Sequence, residues 1–381
     1  MAGVSTDGRP GSNWRSYTSM TSGISRHGEP QLFTGYCSGL EGGGSALPIT
    51  VQDLTVAGLD EQFAAIEDAV ERYLAGDLSN VAVVSQPFAG REVFLDYAEE
   101  EFGAATGRVT FEEVVTGELP EFPVAEIVLV DNCHYLYTRE IGGFDVLERF
   151  LDRVATLDAM YVTSWNRYAW AYLSAVSNVD DAFPETIEIP RLDAAGVRDL
   201  IASYHGTPLP MFVEADEGGR MKTVDLAWES LPLWGDRELP VPRPELQPEY
   251  VLSGLRSESD PGIEAAVYRR IARLSEGDPG VAVTIWEQSV RDGKIAPSYV
   301  QEVDQPLEID DDEAFVLEVI LTNERIAREQ IERICTDIPV AQALGTLLAQ
   351  GVITIDDGWV GVAPERLYST VEHLARRQLV W

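Results

Sequence analysis

Between Asn80 and Ile189 the chain alternates short, wholly apolar runs with longer segments that are apolar every third or fourth residue. The runs are Val81-Ala82-Val83-Val84, Ile127-Val128-Leu129-Val130 and Ala159-Met160-Tyr161-Val162-Thr163-Ser164. Shorter strands are expected at Val109-Thr110-Phe111 and at Glu185 to Ile189. A strand with one wet face alternates apolar and polar residues, whereas one that is apolar throughout belongs in a sheet covered on both sides. Helical spacing is found at Leu59 to Ala75, Glu92 to Glu101, Gly143 to Val154 and Asn166 to Ser177. Strands and helices in this order predict an α/β fold, a parallel sheet with helices on both faces.

The flanking segments differ in character. Residues 1–47 are rich in Gly, Ser and Thr and end in Glu41-Gly42-Gly43-Gly44-Ser45, which reads as a flexible arm. The α/β core is expected over 48–206. Its last helix, Ala194 to Tyr204, has Asp193 as N-cap. Residues 207–256 are proline-rich and read as an irregular insertion or linker. Ile263 to Leu274 and Val281 to Val290 form a helical pair over 257–305, with Gly277 capping the first helix and Pro279 opening the second. Over 306–381, helices are expected at Asp312 to Thr322, Arg325 to Ile334 and Val340 to Gln350. A hairpin turning at Asp357-Gly358 and a final helix follow. Three helices and a two-stranded wing are the plan of a winged helix.

The segment Ser85-Gln86-Pro87-Phe88-Ala89-Gly90-Arg91-Glu92 joins the first apolar strand to a helix, the setting of a phosphate-binding loop. Against the pattern G-x-x-x-x-G-K-[ST] the length and the second glycine fit. Ser85, Arg91 and Glu92 stand where the first glycine, the lysine and the hydroxyl belong. The loop alone leaves two readings open, an altered nucleotide site and a plain strand-to-helix turn. Three later features bear on it. Asp131-Asn132 ends the second apolar strand. Thr163, Ser164, Asn166 and Arg167 lie at the end of the third and just after it. Gly277-Asp278-Pro279-Gly280 joins the two later helices. In this order and spacing, Asn80 to Gly280 resembles the AAA+ and STAND class of P-loop ATPases in a degenerate form, with a C-terminal winged helix added.

That resemblance implies an ATP-binding core with a helical lid. It places the phosphate loop at Ser85, Gln86, Pro87, Phe88, Ala89, Gly90, Arg91 and Glu92, with Ser164 beside it, and the magnesium ligand at Asp131. Asn132, Asn166 and Arg167 become the candidate catalytic positions, with Arg139 a weaker arginine-finger candidate. The departures are chemical. Pro87 removes an amide donor. Arg91 keeps the positive charge but spreads it over a planar fork. Asn132 stands where the family has a water-activating glutamate, and an amide cannot accept that proton. The expected cofactor is ATP or ADP, with magnesium where it binds, or none at all. The expected function is a nucleotide-binding or pseudo-ATPase scaffold acting through protein partners or self-association. The alternatives are an active ATPase and a DNA-binding replication or transcription factor.

Charge bears on those alternatives. The chain holds 64 acidic residues against 28 basic ones, a net charge of −36, and its only lysines are Lys222 and Lys294. A dispersed acidic surface poor in lysine resembles proteins of extreme halophiles, so a haloarchaeal source is expected, cellular or from a mobile element. In molar salt the Debye length is only ~3 Å, and such a surface barely repels itself. The expected recognition helix, Val340 to Gln350, contains no Arg or Lys, and the wing turn carries Asp356-Asp357. DNA affinity is built on cation–phosphate contacts, so this surface disfavours DNA. Arg325, Arg328 and Arg333 form its one basic stripe. Cys37, Cys133 and Cys335 lie far apart with no CxxC pair, which gives neither a zinc site nor a disulfide framework. With no apolar signal core and no membrane-length run, the expected location is cytoplasmic.

Overall fold

The computed structural model describes residues 49–77, 79–156, 158–214, 224–233, 237–246, 262–301 and 307–380. Contacts divide the chain at Ser45, and every described residue belongs to the unit Ala46–Trp381. The expected N-terminal arm lies outside the described residues.

Five parallel strands form the central sheet: β1 (Val81–Ser85), β2 (Thr106–Thr110), β3 (Ile127–Asp131), β4 (Met160–Asn166) and β5 (Glu185–Glu188), in the order β2-β3-β4-β1-β5. The period of two along each strand divides its apolar residues between two cores. Val81, Val83, Ile127, Leu129 and Val162 face one core, with α2 (Asp60–Leu74) and α3 (Arg91–Phe102). Ala82, Val84, Val128, Val130 and Trp165 face the other, with α4 (Asp145–Thr156) and α5 (Arg167–Ser177). This is why the runs are apolar throughout. The architecture is the expected α/β sheet with helices on both faces.

Register brings the carboxyl ends of the central strands together. Ser85 pairs with Asn166 across β1 and β4, while Val130 lies opposite Thr163 across β3 and β4. The connection leaving β1 runs to β2 at one edge, and the one leaving β4 reaches β5 at the other. A crevice at the ends of strands whose connections part in opposite directions is the usual ligand position in open α/β sheets.

Beyond the sheet, α6 (Ala194–His205) is capped by Asp193, whose Oδ1 accepts from the amides of Ala195 and Gly196 at 3.0 and 2.8 Å. Asp278 likewise caps the later of the two lid helices, α7 (Ile263–Ser275) and α8 (Pro279–Ser289). The left-handed cap of α7 is Glu276, one residue before the expected Gly277. Gly277 instead lies against the backbone of Leu192, where a Cβ would stand 2.1 Å from the carbonyl oxygen. The proline-rich insertion is not wholly irregular. Val224–Leu233 and Arg237–Leu246 pair as an antiparallel ribbon. Its prolines fall on pairs of one class, Pro232↔Glu238, Ser230↔Pro240, Trp228↔Pro242 and Leu226↔Pro244. In such a ribbon, one class of pair turns its N–H groups outward, so prolines at every second position cost no ladder bond.

The C-terminal module opens with α9 (Asp311–Asn323), which is hydrophobic on nearly every side: Ala314, Val316, Leu317, Val319, Ile320 and Leu321 are all buried. Such a helix must be covered all round. One side meets α11 (Val340–Ala349) of its own module, and another meets α5 and the Cys133–Leu136 turn of the core. Arg325–Ala327, expected as the start of a helix, is instead a strand, and the helix proper is α10 (Arg328–Ile334). Pairing of Arg325 to Ala327 with Gly361 to Trp359 overrides the local pattern. The C-terminal sheet therefore has three strands, with Asp357 and Gly358 both at positive φ in its hairpin turn. Helix α12 (Leu367–Arg376) closes the module.

Because α9 serves both bodies, Leu317→Ala should cost about 2–5 kcal/mol of unfolding free energy. The exposed Leu348→Ala should stay within about 0.5 kcal/mol. Denaturant unfolding in molar potassium chloride reads both.

Candidate functional site

The loop after β1 is held from both ends. Ser85 is buried, and its Oγ donates to the Gln86 carbonyl at 2.9 Å. Pro87 and Ala89 are buried, and the Ala89 amide donates to the Gln86 carbonyl at 3.3 Å. Phe88 stands at φ 67° and Gly90 at φ 77°, so the chain turns sharply into α3. The Gly280 amide donates to the Phe88 carbonyl at 3.0 Å, and a Cβ on Gly280 would lie 2.4 Å from that oxygen. The glycine thus lets the lid touch the loop. Glu92 is exposed in the first turn of α3.

Arg91, the first residue of α3, is buried at 6% exposure and reaches out of the core into the C-terminal module. Its Nη1 and Nη2 meet the two carboxylate oxygens of Glu324 at 2.6 and 2.7 Å. Nη2 also donates to Oδ1 of Asn132 at 2.8 Å. A planar fork on a carboxylate is the strongest geometry available to such a pair. Asn166 supports the same carboxylate: its Nδ2 donates to Glu324 Oε1 at 2.9 Å and to the Leu321 carbonyl at 3.0 Å. Its Oδ1 meanwhile caps α5, accepting from Tyr168 and Ala169. Burial disfavours charge on both partners of the Arg91–Glu324 pair, but their attraction outweighs it. Glu324 is held below the usual carboxylate range, and the Arg91 guanidinium above its ordinary value.

Asp131, at the end of β3, is committed elsewhere. Its Oδ1 accepts from Ser164 Oγ, and its Oδ2 from Arg108 Nη2 at 3.1 Å. Arg108 lies on edge strand β2 and also pairs with Asp96 and Glu99 of α3. Ser164 Oγ in turn accepts from the Asn132 amide at 2.8 Å. Asn132 Nδ2 donates to the Phe111 carbonyl at 3.1 Å, and the residue sits at φ 59°. His134 is fully buried with both ring nitrogens unpartnered. Burial pushes its pKa down to about 3, with Arg91 acting in the same direction and Glu324 and Asp131 opposing.

The structure thus gathers Arg91, Asp131, Asn132, Ser164 and Asn166 into one network at the rim of the sheet. Arg167 instead is half-exposed and lies 3.6 Å from Glu188. Arg139 pairs with the buried Glu318 at 2.6 Å and stacks over Tyr172. Trp165 packs edge-on against Trp170 and Phe183, inside the second core. Two residues of the network escape the sequence reading: Glu324 and Arg108. Glu324 follows the last residue of α9 at φ 59° and ψ −53°, a conformation that nothing local in the sequence announces. That conformation costs a non-glycine residue on the order of 1 kcal/mol.

With Glu324 seated, the residues do not fit a magnesium-bound nucleotide. The guanidinium edge that would meet a phosphate carries a carboxylate, and both oxygens of Asp131 are hydrogen-bonded to protein donors. Among the described residues no group of three or more His, Cys, Asp or Glu could hold a metal ion, and no helix is long and apolar enough to cross a membrane.

No family profile matches the chain, and neither does any curated protein. Among solved structures, the chain is similar to the Thermotoga maritima RuvB Holliday junction branch migration motor at 12% identity and a TM-score of 0.38, over 85% of this chain and 97% of that one. A Walker-type ATPase of Pyrococcus abyssi matches at 11% identity and a TM-score of 0.39, over 85% and 97%. Cdc6p from Pyrobaculum aerophilum matches at 11% identity and a TM-score of 0.38, over 84% and 95%.

Removing either partner of the Arg91–Glu324 pair strands a buried charge, so Arg91→Ala and Glu324→Ala should each cost about 3–5 kcal/mol. The double variant should cost clearly less than their sum, as a double-mutant cycle in denaturant will read. His134 sets a pH dependence. Its folded pKa lies below the unfolded value of 6.5, so its contribution is complete above pH 6.5 and is lost as pH falls toward about 3. By pH 5 the native protein should have lost about 2 kcal/mol that a His134→Phe variant does not lose. Unfolding curves of the two proteins across that range provide the comparison.

Proposed function

We propose that this chain is a scaffold built on a P-loop ATPase fold, a pseudo-ATPase with little or no hydrolysis that acts through protein partners or further copies of itself. The Arg91–Glu324 pair carries the reading. It puts a side chain of the C-terminal module on the one cation that the phosphate loop retains. Asn132 adds to it, because its amide is spent on Arg91 and Phe111 and has no basicity with which to activate water. The site behaves as an internal joint between core and C-terminal module. Tyr135 Oη donating to the Arg325 carbonyl at 3.0 Å and the Arg139–Glu318 pair strengthen that joint.

The C-terminal module fits the winged-helix plan, used here for protein contact. Its basic stripe is engaged within the chain: Arg325 lies over the Trp359 ring, Arg328 pairs with Glu332, and Arg333 lies 3.6 Å from Glu140. The haloarchaeal reading of the composition makes molar potassium chloride the medium for testing.

Phosphate release from ATP under those conditions should be no faster for the native protein than for Asp131→Ala. Steady turnover abolished by that substitution would overturn the proposal. Duplex DNA should show no salt-sensitive binding in the same buffers as salt is titrated down.

A further inference from the structure

Glu324 does what a bound anion would do. Its carboxylate takes both terminal nitrogens of the Arg91 fork and the amide of Asn166 at 2.6–2.9 Å. These donors come from the amino end of α3 and the carboxyl end of β4, both in the core, whereas the acceptor comes from the C-terminal module. A carboxylate has two oxygens. Three donor nitrogens converge on them, and a tetrahedral oxyanion offers an oxygen to each.

We propose that Glu324 is a tethered ligand of an oxyanion seat in the core, and that an external oligophosphate binds there only by displacing it and loosening the junction between α9 and the wing. The inference rests on the reading of this site as one without turnover, and extends it to what the site exchanges. The guanidinium fork accepts carboxylate and phosphate in the same bidentate geometry, so the two compete for one position. The tether gives Glu324 a high effective concentration, which makes the seat weak toward free anions in the native chain. The apparent affinity of an external anion is its intrinsic affinity multiplied by the fraction of molecules with the seat open. Displacement reaches the junction because Asn166 binds the Leu321 carbonyl as well as Glu324, and Tyr135 binds the carbonyl of Arg325 next along the chain.

Pyrophosphate is the minimal probe, used on the full chain by calorimetry in potassium chloride. Glu324→Gln keeps the shape of the side chain while removing its charge, so it serves if Glu324→Ala fails to fold. Either variant should bind pyrophosphate at least about tenfold more tightly than the native chain. Adding Arg91→Ala to the variant should abolish that binding. In the native chain, saturating pyrophosphate should speed amide hydrogen exchange over Leu321 to Ala327. Equal affinities for native and Glu324→Gln chains would overturn the proposal, as would binding that survives loss of Arg91. ADP in parallel identifies the source of the anion: tighter binding than pyrophosphate assigns the seat to a nucleotide's phosphates, equal binding to oligophosphate alone. ATP turnover is measured separately, so hydrolysis without competition and competition without hydrolysis are distinct results.

Discussion

A buried ion pair between an arginine at the start of one helix and a glutamate just past the end of another joins the core of this molecule to its C-terminal module. Arg91 and Glu324 are 233 positions apart in the chain and meet at 2.6 Å. Neither could be buried alone, since an uncompensated charge at that depth would cost several kcal/mol. Each therefore requires the other, and the pair exists only where the C-terminal module is packed on the core. Asn132 and Asn166 complete the arrangement by filling hydrogen-bonding positions that the pair leaves open.

Three of the eight non-glycine residues at positive φ among the described residues lie at the same place. Phe88, Asn132 and Glu324 all adopt positive φ, at 67°, 59° and 59°. Asparagine tolerates this conformation, but phenylalanine and glutamate do so only where surrounding contacts hold them. Phe88 is held by the lid through Gly280, and Glu324 by Arg91 and Asn166. The ends of β1, β3 and β4, the lid and the C-terminal module therefore share one set of constraints. Asp131 belongs to it through Ser164, with Arg108 on the edge strand supplying its counter-charge.

Much of the core can be read along the chain. The strands beginning at Val81, Ile127 and Met160 announce themselves because burial on both faces leaves no polar alternation. Asp193 and Asp278 announce helix starts because a cap acts within three residues. Within the site, the loop from Ser85 to Glu92 and the pair Asp131-Asn132 are visible for the same reason, as each is contiguous. Arg325–Ala327 misleads, because its fate depends on Trp359 and Gly361, more than thirty positions on. The ribbon at 224–246 is hidden by its prolines, which argue against a strand until their alternation is matched to an outward-facing ladder position.

The sequence by itself determined the α/β class and the order of its elements, and it put Arg91 and Glu92 at the start of one helix and Asn132 just past the end of a strand. These follow from local periodicity and from residue type at fixed offsets. Only the tertiary structure decided what the guanidinium of Arg91 meets. Bidentate contact between Arg91 and Glu324 has no signature in spacing, because it depends on the distance between two helix ends that lie far apart in the chain. That distance is fixed by the packing of the apolar helix Asp311–Asn323 against the core, and the packing brings the carboxylate to the guanidinium.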